Sequence, residues 1–236
     1  MKLNLLPGKL TTICATAFLT LGMLSSANAA SVFVTKEYEG DYAIYFAGDI
    51  RKGDSKKLET VIDRNPHIKT VVMWSNGGVA SEGPKIGSVL SDYNMKAVVK
   101  ENTWCMSACA EGFIGAAEYV IDGGVLGFHK AWIPRFQRNR IGTQEAFDNG
   151  QIHGAHSAKW LLANGFSFSM VDAINYYTAP DVFLVFFHED SLAKFYVRDE
   201  DNNINDYLVH TGPSEQELMD FHIYDVDRLL RVTGNT

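Results

Sequence analysis

The sequence predicts an α/β fold organised on a mostly parallel sheet. Three observations carry that expectation. Strand-type runs alternate with helical-period segments from Tyr42 to His129, the pattern of parallel strands joined by crossover helices. Turn-forming residues, Asn65-Pro66, Ser75-Asn76-Gly77-Gly78 and Gly123-Gly124, fall between those segments. The 236 residues are 46% hydrophobic, enough for one medium-sized domain with its own core.

The elements follow in order. Ser31–Tyr38 and Tyr42–Ile50 are rich in β-branched and aromatic residues and read as strands around a Glu39-Gly40-Asp41 turn. Ser55–Arg64 carries Leu58, Val61 and Ile62 at helical spacing, with Ser55 as the expected N-cap. Ile68–Trp74 is a buried-type strand, Ser81–Tyr93 a helix with Ile86, Val89 and Leu90 on one face, and Met95–Lys100 the next strand. Cys105–Ala116 is expected as a helix so rich in Ala and Gly that another element must approach it closely. Ala117–Asp122 and Val125–His129 are short strands. Beyond the irregular, basic stretch Trp132–Arg140, helices are expected over Thr143–Asn164 and Ser169–Tyr177 and a strongly apolar strand over Asp181–Phe187. Ser191–Val197 is a final short helix or strand, and the acidic run Asp199–Asn203 marks a boundary. In the extension 199–236, Tyr207–His210 reads as a strand. Ser214–Leu230 reads as an amphipathic helix, with Glu217 three residues after a Ser214 cap.

The first 29 residues read as a secretory signal peptide: Lys2 and Lys9, then a mostly apolar Leu10–Leu24, then Ala27-Asn28-Ala29 before the cut. The expected location is periplasmic or secreted, with no stable membrane anchor after cleavage. Cleavage takes the formal charge from −7 to −9. An acidic chain is poorly suited to nucleic acid, whose binding rests on neutralising phosphates. The expected domains are 1–29, the signal peptide; 30–198, the folded body; and 199–236, the acidic extension. Cys105 and Cys109 remain after cleavage, and an oxidising compartment invites a disulfide between them. On a regular helix the i, i+4 spacing puts the Cα atoms about 6 Å apart, so a bridge forms more easily if Cys105 precedes the helix. The other reading is two small buried hydrophobes.

Three marks between Trp74 and His129 carry chemistry. Ser75-Asn76-Gly77-Gly78 and Thr103–Ser107 both fall at the carboxyl edge of the expected sheet, where ligands collect in such folds. Ser107 stands among small residues where a strand gives way to a helix, and Gly127-Phe128-His129 ends a later strand. A serine needs a neighbouring base, and an imidazole with a reference pKa near 6.5 is suited to that task. A diglycine turn lets backbone amides approach a substrate.

These motifs, Ser75-Asn76-Gly77-Gly78, Cys105-Met106-Ser107-Ala108-Cys109 and Gly127-Phe128-His129, resemble in order and spacing the Clp-protease/crotonase superfamily. The likeness is strongest to its exported, Clp-protease-like bacterial members, and it extends more loosely from Tyr42 to about Val197. Asn76 stands where that pattern has proline. The resemblance implies repeated β-β-α units and a serine hydrolase, a peptidase in the Clp branch. Ser107 would be the nucleophile and His129 the base. The amide of Ala108, with that of Gly77 or Gly78, would receive the oxyanion. It also implies an acid some fifty residues beyond the histidine, which Asp181 fits, with Asp172 as runner-up; Lys130, next to His129, points to the opposite face of a strand. It implies a peptide or protein substrate and a homo-oligomer, with no cofactor and no metal.

Two other functional classes compete. One is a non-catalytic exported module that keeps the fold for binding or assembly. The other is a thiol–disulfide protein, against which stands the absence of a Cys-x-x-Cys spacing. His153 and His156 have a zinc-compatible spacing but no third ligand tied to them, so a solvated helix face is expected. His188-Glu189-Asp190 reads as a polar turn. Arg135, Arg138 and Arg140 read as a solvated loop, with a clamp for substrate carboxylates as the alternative.

Overall fold

The computed structural model describes residues 29–131, 140–179, 182–196 and 223–225. The architecture is mixed α/β with a largely parallel main sheet, as the alternating pattern predicts. Strand β1 (Ser31–Tyr38) pairs antiparallel with β2 (Asp41–Ala47). From there β2, β3 (Thr70–Trp74), β4 (Lys96–Lys100) and β6 (Glu118–Asp122) run parallel, in the order β1-β2-β3-β4-β6. Alternation sorts their side chains. Val71, Met73, Ala97 and Val99 join the main core with Ile44 and Phe46, while Val72, Val98 and Tyr45 pack on the opposite face.

The crossover helices cover the main core. Helix α1 (Asp54–Arg64) buries Leu58 and Ile62. Ser55 does not cap it. Gly53 holds the N-cap position with φ 93°, and Ser55 lies inside the first turn with its hydroxyl donating to Glu82 Oε2 at 2.8 Å. A 3-10 turn, Ala80–Glu82, precedes α2 (Gly83–Asp92), so the expected helix from Ser81 begins as a tighter coil. Helix α3 (Ala108–Phe113) packs against α2 at very close range: a Cβ on Gly115 would stand 2.6 Å from the Gly87 Cα. That approach explains the Ala/Gly content of α3. Phe113 at its end is fully buried, and its removal would cost about 3–5 kcal/mol.

A second sheet departs from the single sheet the sequence predicts. Its order is β5-β7-β8-β9, with β5 (Trp104–Met106), β7 (Val125–Phe128), β8 (Val182–Phe186) and β9 (Ile223–Asp225). β5 and β7 are parallel; β7 with β8 and β8 with β9 are antiparallel. Two expectations are corrected here. Cys105 is in a strand, not a helix, because β5 pairs with β7 on one side and with Ser75 on the other. Ile223–Asp225, inside the expected helix Ser214–Leu230, is a strand: it pairs with β8, which otherwise presents an unpaired edge.

Helix α4 (Thr143–Ala163) and helix α5 (Phe168–Tyr177) follow the predicted ranges closely, and α6 (Glu189–Ala193) is a single short turn. The Glu189 carboxylate accepts from the Ile121 amide, so His188-Glu189-Asp190 is a polar turn fastened to β6. Among the described residues no helix is long and apolar enough to cross a membrane. The expected signal segment before Ala29, the strand Tyr207–His210, the boundary at 198/199, Arg135, Arg138 and Asp181 lie outside the described residues.

Candidate functional site

Three strand ends meet at the site. Ser75–Gly78 follows β3, Ser107 follows β5, and His129 follows β7. The Ser75 amide donates to Trp104 O at 2.8 Å, the Met106 amide to Ser75 O at 2.9 Å, and the Ser107 amide to Gly127 O at 2.8 Å. All three motifs are therefore stitched together by backbone hydrogen bonds, before any side chain contributes.

Ser107 occupies a sharp strand-to-helix elbow with φ 57° and ψ −124°. A non-glycine residue in this sparsely populated region carries about 1–3 kcal/mol of strain, and such elbows hold a serine hydroxyl out from the sheet edge. Its Oγ lies 2.7 Å from His129 Nε2. The structure thus brings together the serine and histidine singled out in the sequence, 22 residues apart. The disulfide forms as well: Cys105 in β5 is bonded to Cys109 in α3, with Cα atoms 5.1 Å apart. It ties the strand to the helix across Ser107.

The imidazole is held between an aromatic ring and the serine. Phe183 of β8 lies 4.4 Å from it, centroid to centroid. Burial lowers the His129 pKa to about 4, opposed by the Ala179 backbone carbonyl nearby. Nδ1 is buried and makes no well-formed hydrogen bond with any described residue. The chain that passes this side is pinned by Thr178, whose hydroxyl accepts from the Lys130 amide at 2.8 Å and donates to Ile174 O at 2.6 Å. Asp172 is exposed on α5.

The diglycine turn is more specialised than its sequence suggests. Gly77 has φ 92° and is buried against the elbow: a Cβ there would stand 2.6 Å from both Met106 O and Ser107 Cβ. Its amide donates to Ser75 Oγ at 3.0 Å and is occupied. Gly78 has φ 149° and is exposed, and a Cβ on it would strike Ile50 O at 2.1 Å. Among the described residues the amides of Gly78 and Ala108 donate to no other group. Of the two glycines, Gly78 is the one with a free donor. The six-residue α3 is short, so what it offers at Ala108 is an amide rather than a sizeable macrodipole.

Four contributions escaped the sequence reading. Ser75 Oγ fixes Gly77, Phe183 packs on His129, and Asn76 Oδ1 accepts from Trp104 Nε1 at 2.7 Å, which anchors the turn where the resemblance has proline. The fourth is Glu111, one turn beyond Ser107. A serine before a diglycine could have signalled the first; the others depend on contacts between segments distant in the chain. No group of three or more His, Cys, Asp or Glu among the described residues is arranged to hold a metal ion. His153 and His156 lie along α4 beside a cavity.

No family model matches the chain, and no curated protein matches it in sequence. Solved structures do resemble it. A ClpP1 mutant from Listeria monocytogenes is similar at 13% identity and TM-score 0.44, over 70% of this chain and 94% of that one. A membrane-bound stomatin-specific protease is similar at 13% identity and TM-score 0.37, over 72% and 86%. An enoyl-CoA hydratase from Bacillus anthracis is similar at 11% identity and TM-score 0.31, over 51% of this chain and 61% of that one, so the chain spans about three fifths of that enzyme's length. The chain's structural neighbours thus include ClpP and crotonase-like proteins; at such scores the likeness is one of general layout and assigns no residue a role.

Proposed function

We propose that the protein is an exported serine hydrolase, a peptidase, acting by acyl transfer through Ser107. The observation that carries this reading is the 2.7 Å contact between Ser107 Oγ and His129 Nε2 at a left-handed elbow. His129 takes the hydroxyl proton on Nε2 as Oγ bonds to the substrate carbonyl carbon. The carbonyl oxygen becomes an oxyanion, received by the Gly78 and Ala108 amides. The proton passes from Nε2 to the leaving amine, and an acyl-enzyme remains. Water then gives a proton to Nε2 and its oxygen attacks the acyl carbon; the proton returns to Ser107 as the acid leaves.

The tautomer that accepts from Ser107 carries its own proton on Nδ1, which calls for an acceptor on that side. Asp181, two residues beyond Ala179, is the proposed third member, with Asp172 second. The substrate is a peptide or protein, and the working form is a homo-oligomer. Export is consistent with the disulfide and with Ala30, which would follow the cut. Ala30 is fully buried, and its amide donates to Asp54 Oδ2 at 3.2 Å. A second reading, a binding module that keeps the fold without catalysis, is favoured by one observation: the buried Nδ1 has no well-formed partner among the described residues. Incubation of the mature protein with fluorophosphonate probes separates the two. Labelling mapped to Ser107 is expected; folded protein that several probes leave unlabelled supports the binding module.

A further inference from the structure

A cavity of about 450 Å³ lies between the segment 80–84, α3 and α4; Ser107 and His129 are not among the residues that line it. It is built from the residues just past each site motif. Ala80 is two beyond Gly78, Ala131 is two beyond His129, and Glu111 is one helical turn beyond Ser107, donating its amide to Ser107 O at 3.1 Å. Pro84 and Trp160 complete mostly apolar walls. The volume is in the range of small-ligand sites.

Among the described residues Glu111 is the one acid lining this cavity. Its Oε1 accepts from the Ser157 hydroxyl, and Oε2 lies against Gly83, where a Cβ would stand 2.9 Å away. Among the described residues no basic group comes within ion-pair distance of it. Burial pushes its pKa up to about 7, against the Ser157 hydrogen bond. His153, His156 and Lys159 reach the cavity from α4, but His156 and Lys159 are exposed, at its solvent edge. From the α2 side the nearest acid, Glu82, is committed to Ser55 and Lys85. The arrangement is a mostly apolar cavity lined by a carboxyl that, among the described residues, has a hydroxyl partner and no ion-paired cation. A long aliphatic stem ending in a cation satisfies both parts: the stem covers the walls, and the cation relieves the desolvated carboxylate.

We propose that this cavity receives the substrate side chain next to the scissile bond, that it selects lysine or arginine, and that Glu111 sets that specificity. The proposal rests on the hydrolase reading for the bond that is cut, but the pocket can be tested without turnover. Benzamidine, an amidinium probe, is titrated calorimetrically into the mature wild type and the Ser107→Ala, Glu111→Gln and Ala131→Phe variants. Binding is expected to wild type and Ser107→Ala. It should weaken roughly tenfold or more in Glu111→Gln, as loss of a charge-assisted contact implies. It should also weaken in Ala131→Phe, which fills the cavity, and below about pH 7, where Glu111 takes up a proton. No binding to wild type at millimolar probe, or equal binding to Glu111→Gln, overturns the proposal. In a parallel assay, lysine and norleucine thioesters are compared, with KM and kcat resolved. A lysine preference that collapses through KM in Glu111→Gln supports the assignment. Equal hydrolysis of both by wild type overturns the specificity and leaves the hydrolase reading standing. If neither ester is cleaved and no fluorophosphonate labels Ser107, the hydrolase reading falls, and the benzamidine titration still decides the pocket.

Discussion

Glu82 and Glu111 are two acids on facing elements, and their surroundings differ. Glu82 is 1% exposed and fully engaged: it accepts from the Ser55 amide and hydroxyl and from Lys85 Nζ, at 3.1, 2.8 and 2.9 Å. Desolvation works to raise its pKa, yet these contacts hold it below the usual value. Among the described residues Glu111 has one hydroxyl partner and no ion-paired cation, and burial raises it to about 7. The same division recurs at the strand ends. Ser75 Oγ and the Gly77 amide satisfy each other, whereas among the described residues the Gly78 and Ala108 amides donate to no group and His129 Nδ1 has only the Ala179 carbonyl nearby. Paired groups weld the α1–α2 side and the turn together. The groups without such partners among the described residues belong to the three site motifs and to α3, as expected of a site that receives a ligand.

Substitution should therefore separate the two sets. The largest effect is expected at Ser107. Ser107→Ala should lower kcat/KM by at least about 10⁴-fold with little change in thermal stability. Ser107→Gly should be equally inactive but up to about 1 kcal/mol more stable than Ser107→Ala, because glycine adopts φ 57° without strain. Gly78→Ala comes next, at about 10²–10³-fold in kcat, since the added methyl meets Ile50 O and displaces the oxyanion amide.

The pH profile of kcat/KM sharpens the comparison further. Burial alone lowers His129 to about 4 and keeps its neutral, proton-accepting form down to that pH, so with no carboxylate on Nδ1 the acid limb should lie near 4 rather than near 6.5. A limb at or above 6.5 is the outcome that the proposed Asp181 carboxylate on Nδ1 predicts. The linked stability follows the same sign. Between pH 6.5 and 4 the unfolded chain binds more protons at this site than the folded one, so stability should fall as pH drops through that window. Glu82→Ala should cost about 1–3 kcal/mol in denaturant melts, because the buried Ser55 donors lose their acceptor, while Glu111→Gln should stabilise the fold at and above neutral pH, because it removes a charge that burial disfavours. Joint replacement of Cys105 and Cys109 by alanine should cost about 2 kcal/mol or less, the ring being small.

Particular residues show how much of this was legible beforehand. Periodicity and turn residues located β2, β3, β4, α1 and α4, and the order of the three motifs anticipated that Ser107 and His129 would meet. The 104–106 segment misled, because three apolar residues before a small-residue run fit a helix as well as a strand; only the pairing with β7 and Ser75 decides. Ile223–Asp225 misled for a related reason, an amphipathic pattern overridden by the free edge of β8. Phe183, Ser157 and Glu111 were illegible as site residues. Each acts through a partner 46 or more residues away in the chain, and no local spacing encodes such a meeting.

The central claim is that His129 activates Ser107. The most direct test is the rate of fluorophosphonate attachment to Ser107, mapped by mass spectrometry, in wild type and in His129→Ala. The account predicts rapid labelling at Ser107 in the wild type and a loss of about 10²-fold or more in the variant. Equal rates in the two folded proteins, or label on a different residue, would contradict it.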